Sequence, residues 1–199
     1  MESGTEAGGL AGRHVVIDVG TGDGRWLFRL ARARPEWFCI GIDANLDAAR
    51  HVARRARRSP ARGGAPNLSF VRERAEALPG SLRGMAAEVY VQYPWGGLLR
   101  AVTGGDPATL ARIAALLRAG GRLRVLVNVS VLHGEAAALV PSYAAAGLRI
   151  VRRETAAMRH RSSWAGRLGQ GRALLTLCVE ADLIWPPSGV GWDGGGQGI

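Results

Sequence analysis

The sequence predicts an α/β fold in which a seven-stranded, mostly parallel sheet carries helices on both faces. Three observations predict it. Short apolar runs alternate with helical-period segments, the pattern of right-handed crossovers between parallel strands. The first apolar run closes on a cluster of glycines, and the second ends in an acid, Asp43. At 199 residues the chain is long enough for one such domain and too short for two ordinary ones.

Taken in order, His14 to Val19 reads as a buried strand closed by Gly20-Thr21-Gly22-Asp23-Gly24. A helix follows with Leu27, Leu30 and Ala31 on one face, and Pro35 lies beyond its end. Trp37 to Asp43 is the second strand, and an Arg-rich helix is expected from about Leu46 to Arg58, broken at Ser59-Pro60. Asn67 to Val71 and Ala87 to Gln92 are strands three and four, the latter running into Tyr93-Pro94-Trp95-Gly96. The next helix has Asp106 as its cap, Pro107 in first position, and Leu110, Ile113, Ala114 and Leu117 as its buried stripe. Gly120-Gly121 is expected to end it. Arg122 to Asn128 is strand five, Glu135 to Ala146 a helix, Gly147 to Arg153 strand six and Ala173 to Glu180 strand seven. The domain is therefore placed at 13–183, between a flexible N-terminal dozen and a Gly-rich, disordered tail over 184–199.

Composition narrows the function. No apolar stretch is long enough for a membrane span, and residues 1–12 lack a signal pattern, so a cytoplasmic protein is expected. Cys39 and Cys178 sit in apolar runs outside any CxxC pair, and the histidines have no ligand spacing; buried thiols and no metal are expected. The net charge is +10, carried by arginine alone. Between Ala48 and Arg72 there is no acid, and from Arg149 to Arg172 seven arginines face only Glu154. Two such runs point to a polyanionic partner.

A strand, a glycine turn and a second strand ending in an acid 25 residues after Asp18 restrict the cofactor to nicotinamide, flavin or S-adenosylmethionine (SAM). The acids decide between them. Asp18, just before the loop, can bind a methionine ammonium but would repel a pyrophosphate, and Asp23 within the loop acts in the same sense. Asp43 suits both ribose hydroxyls. The reading is a class I SAM-dependent methyltransferase fold, Rossmann-like, with Arg74-Ala75-Glu76-Ala77 placed to meet the adenine.

Tyr93-Pro94-Trp95-Gly96 stands at the sheet edge where a methyl acceptor would meet SAM. It is a poor match to the acid-or-amide, double-proline pattern of exocyclic-amine methyltransferases. Transfer to a ring nitrogen, whose lone pair is already free, fits better and rests on positioning.

Asp18 to Arg25, Tyr93 to Gly96 and Ser162-Ser163-Trp164-Ala165-Gly166-Arg167-Leu168 together resemble the aminoglycoside-resistance 16S rRNA (adenine(1408)-N(1))-methyltransferases, over roughly residues 13–180. The resemblance implies methylation of adenine N1 in the assembled small (30S) ribosomal subunit, with two tryptophans sandwiching the flipped base. By motif these are Trp95 and Trp164, with Ser162 and Ser163 bordering the pocket. It implies cofactor contacts at Asp18, Gly20, Gly22, Asp43, Ala75, Glu76, Gln92, Tyr93, Pro94, Gly96 and Gly97, with Trp26 close by where a smaller polar residue is usual. Arg54, Arg55, Arg58, Arg62, Arg167 and Arg172 would hold rRNA phosphates, and the protein is expected to act as a monomer. The chain departs from the family in its short N-terminal segment and in Gly166, Gly169 and Gln170 around Trp164. Two alternatives stay open: a tRNA guanine-N7 methyltransferase, whose turn normally carries an Asp, and a non-catalytic RNA-binding protein on this fold.

Overall fold

The computed structural model describes residues 12–132, 139–158 and 174–184. Its elements are β1 (Val15–Val19), α1 (Arg25–Ala33), β2 (Phe38–Asp43), α2 (Arg50–Ala56), β3 (Leu68–Arg72), β4 (Ala86–Gln92), α3 (Gly96–Thr103), α4 (Pro107–Ala114), β5 (Leu117–Asn128), α5 (Leu139–Ala145), β6 (Leu148–Met158) and β7 (Leu174–Leu183). The strands form one sheet in the order β3-β2-β1-β4-β5-β7-β6. Pairing is parallel from β3 through β5, while β7 lies antiparallel between β5 and β6. From β1 the chain winds outward through β2 and β3, then returns to place β4 on the other side of β1. That reversal opens a crevice above the carboxyl ends of β1 and β4.

The strands near the centre are apolar because both their faces are covered. Val15, Val16, Ile17 and Val19 are buried, alternating between two cores. On one face Val16 and Cys39 meet Leu27, Phe28 and Ala31 of α1 and Val52 and Ala56 of α2. On the other, Ile17, Val89, Val91 and Leu123 meet Ala101 and Val102 of α3, Leu110 and Ile113 of α4 and Tyr143 of α5.

Toward β6 the first of these faces changes character. Glu88 and Tyr90 on β4, Arg122 and Arg124 on β5, and Glu180 and Asp182 on β7 form a half-buried ladder of charges in place of an apolar layer. Arg122 Nε donates to Asp182 Oδ1 at 2.6 Å, Arg124 Nε to Glu88 Oε2 at 2.9 Å, and Arg124 bridges onward to Glu180. Every cation in the ladder meets an acid, so this arginine-rich part of the sheet is internally neutralised.

Several boundaries differ from expectation. The Arg-rich helix begins at Arg50 rather than about Leu46, because Asn45 N–H bonds Asp43 Oδ1 and Asp47 N–H bonds Asn45 Oδ1. These side-chain turns compete with helical hydrogen bonds. α4 ends at Ala114, so Leu117 and Gly120-Gly121, expected in and just after that helix, belong to β5. A Cβ at Gly121 would stand 2.9 Å from the Ala86 carbonyl, so the glycine allows close approach of two strands. α3 was not expected at all. Asp106 does cap α4, accepting from Thr109 N–H at 3.1 Å. Cys39 is buried as expected, whereas Cys178 is half-buried with its Sγ 3.3 Å from Met158 Sδ. The Glu135 to Ala146 helix is described from Leu139, and both expected termini lie mainly outside the described residues.

No helix among the described residues is long and apolar enough to cross a membrane. None of their His, Cys, Asp and Glu side chains gathers into a group that could hold a metal ion.

Candidate active site

A pocket of about 470 Å³ fills the crevice at the carboxyl ends of β1, β2 and β4. Its floor is the turn after β1. Gly20 has φ 78°, and a Cβ there would fall 2.7 Å from Leu98 Cδ2 of α3, so only glycine lets the loop lie this close.

Three carboxylates surround the turn. Asp18 is 3% exposed, accepts from Thr21 Oγ1–H at 2.9 Å and from Gln92 Nε2–H at 3.3 Å. Burial pushes its carboxyl up to about 6; the Thr21 and Gln92 hydrogen bonds counter this, while the charges of Asp43 and Asp23 add to it. Asp43, at the end of β2, accepts Gly22 N–H on Oδ2 at 2.8 Å and Asn45 N–H on Oδ1 at 2.9 Å. Those two bonds fix the carboxylate plane, and each oxygen retains acceptor capacity. Asp23 accepts Arg25 N–H at 3.1 Å and so satisfies an amide at the start of α1. A buried, incompletely compensated carboxylate at a cleft wall suits a cationic ligand group.

The opposite wall is the turn after β4. Tyr93 is the non-glycine residue with positive φ among those described, at 50°. Its N–H donates to the Leu126 carbonyl at 2.7 Å, and its buried hydroxyl shares a 3.1 Å hydrogen bond with Thr176 Oγ1 on β7. The left-handed backbone costs of order 1 kcal/mol or more and is held by these anchors. Its effect is to turn the chain outward, so that Pro94 is buried while Trp95 stands 77% exposed at the rim, just before α3.

The structure brings together every described residue of the expected cofactor set. Asp18, Gly20, Gly22, Trp26, Asp43, Ala75, Glu76, Gln92, Tyr93, Pro94, Gly96 and Gly97 all line the pocket, and so does Trp95. Trp26 also packs on Tyr90, ring centroids 4.7 Å apart, and Trp37 packs beside the α1 core. Arg54, Arg55, Arg58 and Arg62 are exposed on α2 and the turn after it, with Arg55 5.0 Å over the Phe28 ring. Ser162, Ser163, Trp164, Arg167 and Arg172 lie outside the described residues. Sequence reasoning missed Thr21 and Leu98 as pocket residues. A hydroxyl three residues after Asp18 was a readable signal for the first; the second required knowledge of α3.

The donor set fits SAM. The volume is within the range of about 300–1,000 Å³ of small-molecule sites, a buried carboxylate can meet the ammonium, and a fixed second carboxylate can meet a diol. Sheet order, switch-point pocket and glycine turn together define a class I methyltransferase fold. A family model described as NpmA: 16S rRNA (adenine(1408)-N(1))-methyltransferase matches residues 9–183, and the chain belongs to this family.

Among curated proteins, a 16S rRNA (adenine(1408)-N(1))-methyltransferase of Streptoalloteichus tenebrarius is 40% identical over 115 residues, 58% of this chain and 53% of the relative. One from Escherichia coli is 33% identical over 122 residues, 61% of this chain and 56% of the relative. The matched stretch thus spans about half the length of these curated relatives. Among solved structures, the enzyme of the same name from Catenulisporales acidiphilia, a tryptophan variant with cosubstrate SAM, superposes with a TM-score of 0.83 at 32% identity, covering 92% of each chain. The aminoglycoside resistance methyltransferase NpmB1 gives 0.70 at 33% identity, covering 86% of this chain and 87% of its own.

Proposed function

We propose that the protein transfers a methyl group from SAM to N1 of adenine 1408 in 16S rRNA of the assembled 30S subunit, and thereby confers aminoglycoside resistance. The observation that carries this reading is that one pocket has acids along one wall and the exposed Trp95 at the other, in a chain of this family. The protein works as a cytoplasmic monomer in this reading.

When bound, SAM supplies an electrophilic methyl group. Asp18 holds the ammonium and Asp43 the ribose hydroxyls, while the backbone from Gln92 to Gly97 and the Ala75-Glu76 turn enclose the adenosine. Asp18 must be ionised for this role, which its titration near 6 permits at neutral pH.

Trp95 receives the extruded adenine on its ring face, with Trp164 as the second plate and Ser162 and Ser163 beside it. Extrusion costs a few kcal/mol, and stacking at about 1–3 kcal/mol per base offsets much of it. N1 of adenine carries a free lone pair at neutral pH, so the chain need not supply a general base. Its work is alignment and exclusion of water. Arg54, Arg55, Arg58 and Arg62, with Arg167 and Arg172, hold backbone phosphates around the target.

The test is methylation of purified small subunits with labelled SAM, followed by primer extension. Methylation at N1 blocks base pairing, so a reverse-transcriptase stop next to adenine 1408 is expected. Incorporation mapping to another nucleotide, or none, would overturn the assignment.

A further inference from the structure

A second hollow, of about 400 Å³, opens at the opposite edge of the sheet, where β1 and β3 begin. Arg13 and Arg32 line it, with Pro35, Pro60 and Pro66 at its rim and Asn67 in its wall. We propose that this hollow is a second seat for RNA, in which Arg13 and Arg32 grip backbone phosphate remote from the methyl-transfer pocket. The inference rests on the RNA-directed reading above.

Four observations carry it. Arg13 is among the residues lining the hollow and is half-buried, with its guanidinium 5.8 Å over the Phe38 ring at the start of β2. Among the described residues neither Arg13 nor Arg32 forms an ion pair, in contrast to Arg122 and Arg124 in the neutralised ladder. Three carbonyls beside the hollow are engaged by one side chain. Asn67 Nδ2 lies 2.9, 3.1 and 3.0 Å from the Ala31, Arg34 and Trp37 carbonyls and shares its two hydrogens among them, Ala31 being in the last turn of α1. Finally, the hollow continues a basic track. α2 leads from the pocket side of the sheet down to the Pro60–Arg62 turn on its rim, presenting Arg54, Arg58 and Arg62 to solvent.

The same features favour RNA over a lipid surface. The site is concave and rimmed by rigid prolines. The exposed large apolar side chains among the described residues are Trp95, Val140, Val151, Leu175 and Ile184, none of which lies in the hollow. Stable anchoring at a membrane surface combines apolar insertion with charge.

The experiment compares wild type with an Arg13→Gln/Arg32→Gln double variant for binding to purified small subunits across a salt series. Losing two phosphate contacts should weaken binding roughly tenfold or more near 0.1 M salt and flatten the log–log salt slope by about 1.4–1.8. SAM affinity, thermal midpoint and kcat at saturating subunits should stay at wild-type values, with the effect confined to the KM for subunits. An Arg13→Lys/Arg32→Lys variant should restore the slope. Unchanged affinity and slope in the Gln variant would overturn the proposal. So would wild-type binding to phosphatidylserine vesicles that the variant loses while its subunit binding stays intact. Should wild type bind subunits yet leave adenine 1408 unmodified, the methylation reading falls, and a flattened slope would still support the seat.

Discussion

Asp18→Asn should make the ligand-free protein more stable and at the same time remove its grip on SAM. Burial raises the Asp18 carboxyl from an ordinary 3.8 to about 6. A rise of about two pH units corresponds to roughly 3 kcal/mol of penalty for carrying the ionised group in the folded state. Because the group is only 3% exposed, solvent screening discounts little of this. The amide gives back part of the gain, since it weakens the hydrogen bonds now made by Thr21 and Gln92; a net gain of about 2 kcal/mol is expected. For a domain of this size that is roughly 4–8 °C in Tm.

The sign follows from proton binding. An acid with a raised folded value holds its proton more tightly when native, so its penalty is full above about pH 6 and vanishes below about 3.8. The variant's advantage should therefore be largest at pH 7.5 and fall to about a third of that by pH 5. Urea unfolding at the two pH values measures it, with other groups cancelling in the difference. Calorimetry on the same samples should show SAM binding weakened by roughly 30-fold or more, the loss of one buried ion pair. A variant less stable than wild type at pH 7.5, or a gain equal at both pH values, would refute the account of Asp18 as a strained carboxylate awaiting a cation.

Trp95→Ala should abolish methylation while changing Tm by little, because the indole is 77% exposed; a large loss of SAM affinity in titration would contradict its assignment to the base. Trp164→Ala is expected to behave alike in the same two assays. Asp43→Ala should weaken SAM binding roughly tenfold or more, since it removes both an acceptor and the anchor of Gly22 N–H, and unaltered affinity would contradict the ribose contact. Wild-type SAM affinity should fall as pH drops below about 6, approaching tenfold per pH unit, as Asp18 takes up a proton; a flat profile from pH 7.5 to 5 would oppose it. Replacing Arg54, Arg55 and Arg58 by Gln together should weaken subunit binding most at low salt and flatten the salt slope by about 2–3, and a salt-independent loss would instead indicate misfolding.

What could be read locally was read. The β1 turn announces itself because three glycines fall within five residues, and α4 because Asp106 and Pro107 mark its first turn. α3 escaped because its eight residues open on two glycines and bury only Ala101, Val102 and Thr103. Gly120-Gly121 misled for the opposite reason. The pair reads as a helix stop, yet it serves β5, where Gly121 meets the Ala86 carbonyl from another strand. The arginines of β5 gave no hint of their fate, since their acids lie 36 to 60 residues away on β4 and β7.

The amino-acid order by itself determined the crossover fold, the glycine loop and the acids at the ends of the first two strands, because period and turn chemistry act over a few neighbouring residues. Only the tertiary structure decided that Gln92, 74 positions from Asp18, shares its carboxylate, that Thr176 secures the strained Tyr93, and that Arg122 and Arg124 are neutralised by acids on β4 and β7. Those outcomes depend on strand order and register, which bring distant side chains within hydrogen-bond reach and which no local pattern encodes.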